Sequence, residues 1–404
     1  MLEHVSLLQN PVLPYDWGSK KAIPDLLGQE PDGRPQAELW IGAHPSAPST
    51  ILSGYARGHL DRVILGEPLG VLGTRVLEEF GPRLPYLLKV LAADRALSLQ
   101  VHPLPHLARA GFNRENAAGV PRDAPDRTFH DPHHKPEMVL ALTQFDGLVG
   151  FRRPRVVLDH LDGLTGTLVD DVRGTLRTDP SPTGIRTAFR DLVARRDLPS
   201  VAHDIEVTLA SVRDRIAQGS PVERADRTVL ALAEQHPGDP GVLASLMLNR
   251  VTLEPGESVF IPAGVVHAYL AGVAVEVMAS SDNVLRAGLT RKHVDVDALV
   301  TCTTFEPASP SVPDVIAPGD AAHVVHLRPP VPEFALMVAD LMQGTHVALP
   351  PDGPRIVLCL DGRVSLHGAG GTTPLRRGQS ALVRSSAGAV EVAGEGHLVC
   401  VYVP

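Results

Sequence analysis

The sequence predicts a mainly β protein with a helical insertion: two small β-barrel domains plus an α-helical domain. Three observations carry this. Short apolar–polar alternations separated by Pro and Gly turns fill residues 1–153, as in AELWIGAHPSAPS (37–49), the pattern of half-buried strands. Helical spacing replaces them over 154–248. Strand character returns at Asn249, and VTLEPGESVFIPAG (251–264) resembles TPLRRGQSALVRSS (373–386), each a strand, a Gly turn and a second strand. Such self-similarity implies two β domains of one type. The second copy lacks the His that follows the first, so a metal is expected in only one of them.

In chain order, 1–153 reads as the first part of the metal-bearing barrel, an all-β unit with irregular connections. Within it, 104–136 is dense in Pro, His, Arg and Asp and reads as loop. In the insertion, Ile185, Ala188, Phe189, Leu192 and Val193 recur at one helical face, and Val207 to Ile216 is a second amphipathic segment. Asp239-Pro240 ahead of VLASLML reads as an N-cap followed by proline at the first helical position. Residues 249–306 complete the first barrel. A Pro-rich connection, 307–320, then leads into the rest of a metal-free C-terminal β domain, 307–404.

A chain of 404 residues exceeds one ordinary core. At 44% hydrophobic and 21% charged it is a globular composition. A net charge of −9 argues against nucleic acid or an anionic membrane as the main partner. It leaves room for a phosphorylated metabolite, which needs only a local positive cluster. The N-terminus has no signal-peptide h-region, and no apolar run reaches the ~18 residues of a membrane span. Cys302, Cys359 and Cys400 are too few for a disulfide framework and read as strand filler. The expectation is a cytoplasmic monomer.

The chemistry is concentrated in three places. Leu97-Ser98-Leu99-Gln100-Val101-His102-Pro103 alternates, so a strand would present Ser98, Gln100 and His102 in one row, opposite Leu97, Leu99 and Val101. Gly256, Pro262, Gly264 and His267 have the spacing of a Gly turn, a strand, a tight return and a His at the start of the next strand. That spacing resembles the second motif of the cupin, or jelly-roll, superfamily, with Ala271 where an Asn is usual. Gln100-x-His102 resembles the first motif with Gln in place of its leading His. Finally, His130-Asp131-Pro132-His133-His134-Lys135-Pro136-Glu137 runs into the strand pattern MVLAL, which puts an acid at the lip of a strand. Gln100, His102, Glu137 and His267 together offer two imidazole nitrogens and two oxygens, a set that suits one Zn²⁺ per chain with a position open for water or substrate.

Ordered blocks extend the likeness: Tyr15-Asp16-Trp17-Gly18-Ser19, Glu38-Leu39-Trp40, LPYLLKVL (84–91), LSLQVHP (97–103), HKPE (134–137) and VEVMASSDNVLRAGLTRKHVD (275–295). By these the chain resembles the type I phosphomannose isomerases over residues 15–297. The C-terminal third is similar only in general architecture. The resemblance implies a zinc-dependent aldose–ketose isomerase acting on a sugar phosphate through an enediol, with Gln100, His102, Glu137 and His267 at the zinc positions. It implies Arg286 as the essential arginine and Lys89, Ser98, His134 and Lys135 at pocket positions. Lys135 is also expected as a polar partner in the chemistry, and Glu276 and Asp282 match acids of proton transfer. The residues do not decide between those two acids. His133 stands where the family more often has Asn, Arg291 replaces a common Pro, and Val273-Ala274 replaces a polar pair, which leaves substrate breadth open. Glu38 and Trp40 read as a structural pair, Trp17 as core, and His44, His106 and His130 as surface residues or supports. Three rival functions remain: isomerisation of unphosphorylated aldoses, a metal-dependent cupin dioxygenase, and a non-catalytic sugar-binding cupin.

Overall fold

The computed structural model describes residues 4–52, 58–317 and 323–404. The described chain builds the expected mainly β architecture with a helical part. An 11-stranded and a 10-stranded sheet carry it. Both are antiparallel at every strand pair that bears on the site. The strand His267–Ala279 is the spine of the 10-stranded sheet. It pairs with Tyr86–Ala93, Glu137–Ala141, Phe145–Phe151 and Leu99–Val101. Residues far apart in sequence therefore arrive on one curved wall.

Register does the rest, because directly opposed residues project to the same face. Arg286 stands opposite Gln100, and Gln100 opposite His267, across three strands. Trp40 stands opposite Lys89, and Lys89 opposite Glu276, across another three. The two rows are the framework of the site.

The first copy of the repeated segment forms Leu248–Leu253 and Ser258–Ile261, and the second forms Gly371–Arg376 and Ser380–Val383. Both turn through a glycine in the left-handed region, Gly256 at φ 89° and Gly378 at φ 78°. At the end of the first copy, Gly264 makes the return to His267 at φ 87°, and a Cβ there would lie 2.6 Å from Thr304 Oγ1. Gly264→Ala is expected to destabilise the fold by about 1–3 kcal/mol, measured by denaturant unfolding. Wild-type stability in that variant would contradict the reading.

The chain's ends are joined. Val5–Gln9 pairs with Ser380–Val383, setting Leu7 opposite Ala381. Leu88, Met138 and Val277 of the 10-stranded sheet pack in one core with Leu336, Ile356 and Val401 of the other. Tyr86 Oη donates to Pro354 O at 3.0 Å, and Arg384 donates to Glu67 at 2.7 Å. The two β parts are thus locked together at several independent points.

The insertion folds as helices Pro154–Leu161, Thr167–Thr178, Pro182–Ala194, Val201–Ala217 and Glu223–Gln235. The face Ile185, Ala188, Phe189, Leu192 and Val193 is buried as its spacing predicts. In Val201–Ala217 the buried stripe is Ile205, Thr208, Leu209 and Val212, and Val207 faces solvent. Asp239 does accept a bond from Gly241 N at 2.7 Å, but the helix it starts is a single turn, Gly241–Ala244, continued as a 3₁₀ turn.

Three sequence readings need correction. The first 153 residues are not all-β: they hold Ala22–Leu27, Leu60–Gly66 and Pro68–Phe80 as helices. Nor is 104–136 all loop, since Pro105–Ala117 is helical with proline in its first turn. Its polar composition hid a narrow seam, Ala108 and Gly111, on which the Phe129 ring lies so close that no Cβ fits at Gly111. Cys302 ends a helix rather than filling a strand, and all three cysteines are buried and free. Of the Pro-rich connection 307–320, residues 318–320 lie outside the described residues. Among the described residues no helix is long and apolar enough to cross a membrane.

Candidate metal centre and active site

His102, Glu137 and His267 are brought from three strand ends to one buried point, their ligand atoms all within 4.8 Å of one another. Glu137 begins its strand and His267 begins the spine strand. His102 directly follows Leu99–Val101, a strand of only three residues. Gln100, on that short strand, is buried and sits opposite His267 in register.

The hydrogen bonds around the trio favour a metal. His102 Nδ1 lies 2.6 Å from Asn283 O, and His267 Nδ1 lies 2.9 Å from Val265 O. A backbone carbonyl only accepts, so each Nδ1 carries the hydrogen and each Nε2 keeps its lone pair. Those Nε2 atoms point at Glu137, 3.2 Å from Oε1 and 3.3 Å from Oε2. Yet both lack a hydrogen-bond partner. Two oriented, buried lone pairs converging on a carboxylate are costly without a cation between them. Burial, then the Lys135 ammonium, pushes the His102 imidazole down to about 4, the neutral form that ligation needs. Burial opposes ionisation of Glu137, but the Lys135 ammonium outweighs it and holds its carboxyl well below the usual range. Lys135 Nζ donates to Glu137 Oε1 at 2.5 Å. The chemistry and orientation of these donors fit a zinc-type ion.

Beside the trio lies a buried charge network. Lys89 Nζ is 3.1 Å from Glu276 Oε2 and 3.4 Å from Glu38 Oε2, and sits over the Trp40 ring. Trp40 Nε1 donates to Glu38 at 2.5 Å. Burial works against the Lys89 charge, but Glu276 and Glu38 overcome it and hold its pKa above the usual lysine range. Burial, then the charge of Glu137, raises the Glu276 carboxyl. Tyr269 Oη bridges the two groups of acids, 3.1 Å from Glu137 Oε2 and 3.0 Å from Glu276 Oε1.

The rim is built from two loops stitched together. Asp131 accepts from Ser281 Oγ and from the Asp282 backbone N–H at 2.7 Å. Asn283 Nδ2 donates to Asp131 O and His133 O. Asp282 is half exposed, with His44 Nε2 at 3.3 Å and Ser46 Oγ at 3.4 Å. His44 is buried, a support and not a surface residue. His133 Nδ1 lies 3.4 Å from Arg83, and His134 Nε2 lies 2.5 Å from Glu333 Oε1. Ser98 is half-buried just before Leu99–Val101. Arg286 is half-buried, and the ionisable group acting on it is the Tyr15 phenol rather than a carboxylate. Lys292 is close by: its own partial burial, then the Arg286 charge, lowers its pKa. Tyr15 stacks on Trp17, which is half-buried and packs against the core around Leu91, Phe145 and Tyr269.

Sequence reasoning missed Tyr269, Asn283, Lys292 and Glu333. Tyr269 had a signal, since it is two residues from His267 on one strand and so on the same face. Asn283 and Lys292 lay inside a quoted block without a distinguishing pattern. Nothing local marks Glu333.

Comparison with known proteins agrees with this geometry. Residues 5–154 match the family model for the catalytic domain of type I phosphomannose isomerase. Mannose-6-phosphate isomerase of Escherichia coli (strain K12) is 37% identical over 401 residues, 98% of this chain and 98% of its own. A mutant of phosphomannose isomerase from Salmonella typhimurium has a crystal structure that matches with a TM-score of 0.89 at 34% identity, covering 99% of each chain. The zinc-bound crystal structure of a mannose 6-phosphate isomerase matches with a TM-score of 0.88 at 33% identity over 99% of each chain. This chain belongs to the type I phosphomannose isomerase family.

Proposed function

We propose that this protein interconverts mannose 6-phosphate and fructose 6-phosphate, with one zinc ion held by Gln100, His102, Glu137 and His267. One observation carries the reading: two buried imidazoles, fixed by backbone carbonyls, direct unpartnered Nε2 atoms at Glu137. The names of the relatives and the zinc of the solved structure support it. Gln100 adds a neutral oxygen, so Glu137 is the lone anionic ligand and the centre keeps net positive charge. Bound zinc would supply Lewis-acid stabilisation for negative charge developing on a sugar oxygen.

The chain's own residues do the remaining work. Aldose–ketose exchange moves a proton between adjacent carbons through an enediol, which needs one positioned base. Glu276 suits that role better than Asp282. It is buried at the wall beside the metal residues, its carboxyl is raised, and Tyr269 and Lys89 hold its two oxygens. Asp282 is half exposed and is held by His44 at the rim, where it orients the sugar. Lys89 already faces two carboxylates, so it acts at the pocket wall by stabilising charge on Glu276. Lys135 binds Glu137 and serves as the polar partner at the sugar oxygens. Ser98 and His134 contact substrate at the rim. The phosphate is assigned to Arg286, with Lys292 beside it, because the arginine is half-buried and no carboxylate among the described residues forms an ion pair with it.

Arg286→Ala is expected to lower kcat/KM for mannose 6-phosphate on the order of 100-fold, about 2–4 kcal/mol of lost binding. The loss should be much smaller for unphosphorylated mannose in steady-state assays. Equal losses on both sugars would remove the phosphate assignment. Wild-type enzyme that turns over mannose as efficiently as its 6-phosphate would favour the unphosphorylated-aldose reading.

A further inference from the structure

We infer that the C-terminal β domain completes the active-site rim through Glu333, a positioning residue that fixes the imidazole of His134. The inference rests on the reading of His134 as a substrate contact. The two residues are 199 apart in sequence and their side chains meet at 2.5 Å. A carboxylate only accepts, so His134 Nε2 carries the hydrogen. In the neutral ring Nδ1 is then left as an acceptor, able to take a hydrogen from a sugar hydroxyl. Glu333 thus chooses which nitrogen of His134 the substrate meets.

The residue is built to hold still. It follows Pro329-Pro330-Val331-Pro332, three prolines in four positions that leave the backbone little freedom. Phe334, next in the chain, is completely buried in the core shared by the two sheets. Glu333 itself is buried. Its second oxygen, Oε2, is buried without a hydrogen-bond partner, so its own domain does not use it. Its charge also acts on Arg83, the side chain that lies against His133. Two successive histidines of the rim loop are therefore held from outside it, one by Arg83 and one by Glu333.

A purely structural role as domain glue is a poor fit. The β parts are already joined by Tyr86 to Pro354, by Glu67 to Arg384 and by Arg75 to the backbone carbonyl of Val403. None of these reaches the rim. The contact that does reach it ends on a histidine rather than on backbone.

A double-mutant cycle in the zinc-loaded, full-length enzyme tests this. Glu333→Ala is expected to raise KM for mannose 6-phosphate about tenfold with kcat within about twofold of wild type. Glu333→Gln should stay within about twofold of wild-type KM, because its amide oxygen can accept the same N–H. Glu333→Ala should add nothing further in a His134→Ala background. Ring-nitrogen NMR should find His134 in the Nε2–H form in wild type and Glu333→Gln, and mixed in Glu333→Ala. That signal does not depend on turnover, so it separates failure of this inference from failure of the isomerase reading. A wild-type KM in Glu333→Ala, additive losses in the cycle, or an unchanged His134 ring form would each overturn the role of Glu333.

Discussion

Stripping the metal is expected to reduce isomerase turnover on the order of 10³-fold or more, because the charge forming on the sugar oxygen then loses its main stabiliser. Zinc should restore it, and Mg²⁺ should not, since two imidazole ligands disfavour a hard cation that demands oxygen. The same logic sets the ligand variants. His267→Ala removes one of two oriented lone pairs and leaves Glu137 facing His102 and Lys135. Its zinc content, measured by elemental analysis, should fall with its activity. Asn283 belongs to the centre as well, because its carbonyl orients His102. Full activity in exhaustively chelated enzyme would refute the metal centre. Bound iron with oxygen consumption would instead favour the dioxygenase reading.

Glu276→Gln is expected to lower kcat by about 10²–10⁴, the range for loss of a general base. The substitution is isosteric, so zinc content and affinity for the sugar phosphate should be retained. It leaves Lys89 with Glu38 as its remaining carboxylate. A buried pair broken on one side is destabilising, and a modest fall in Tm is expected with it. Stopped-assay kcat, zinc content and a binding isotherm separate the three effects. A kcat within tenfold of wild type would remove Glu276 as the proton carrier and move the role to Asp282.

His102 and His267, two members of the buried trio, were legible in the sequence because their motifs are local patterns. Gln100 lies on the short strand Leu99–Val101 and His102 directly follows it, and Gly256, Pro262, Gly264 and His267 mark a turn–strand–return that the chain does adopt. The network around Lys89 was not readable in that way. It comes from register, with Trp40, Lys89 and Glu276 opposed across strands whose sequences carry no mark of their partners. The same holds for Val5–Gln9, whose partner strand begins at Ser380. Helix Pro105–Ala117 was obscured because its buried seam is made of Ala108 and Gly111, small residues that add little to an apolar periodicity. Glu333 follows a proline-rich run outside every motif, and its meaning exists only in the folded contact with His134.

This barrel wall is expected to move a proton between C1 and C2 of mannose 6-phosphate. Incubating the purified zinc enzyme with mannose 6-phosphate in D₂O, followed by NMR, tests it directly. Fructose 6-phosphate should accumulate to equilibrium and deuterium should enter the reacting carbons, with both signals lost in Glu276→Gln. Unchanged mannose 6-phosphate under zinc-replete conditions would contradict it.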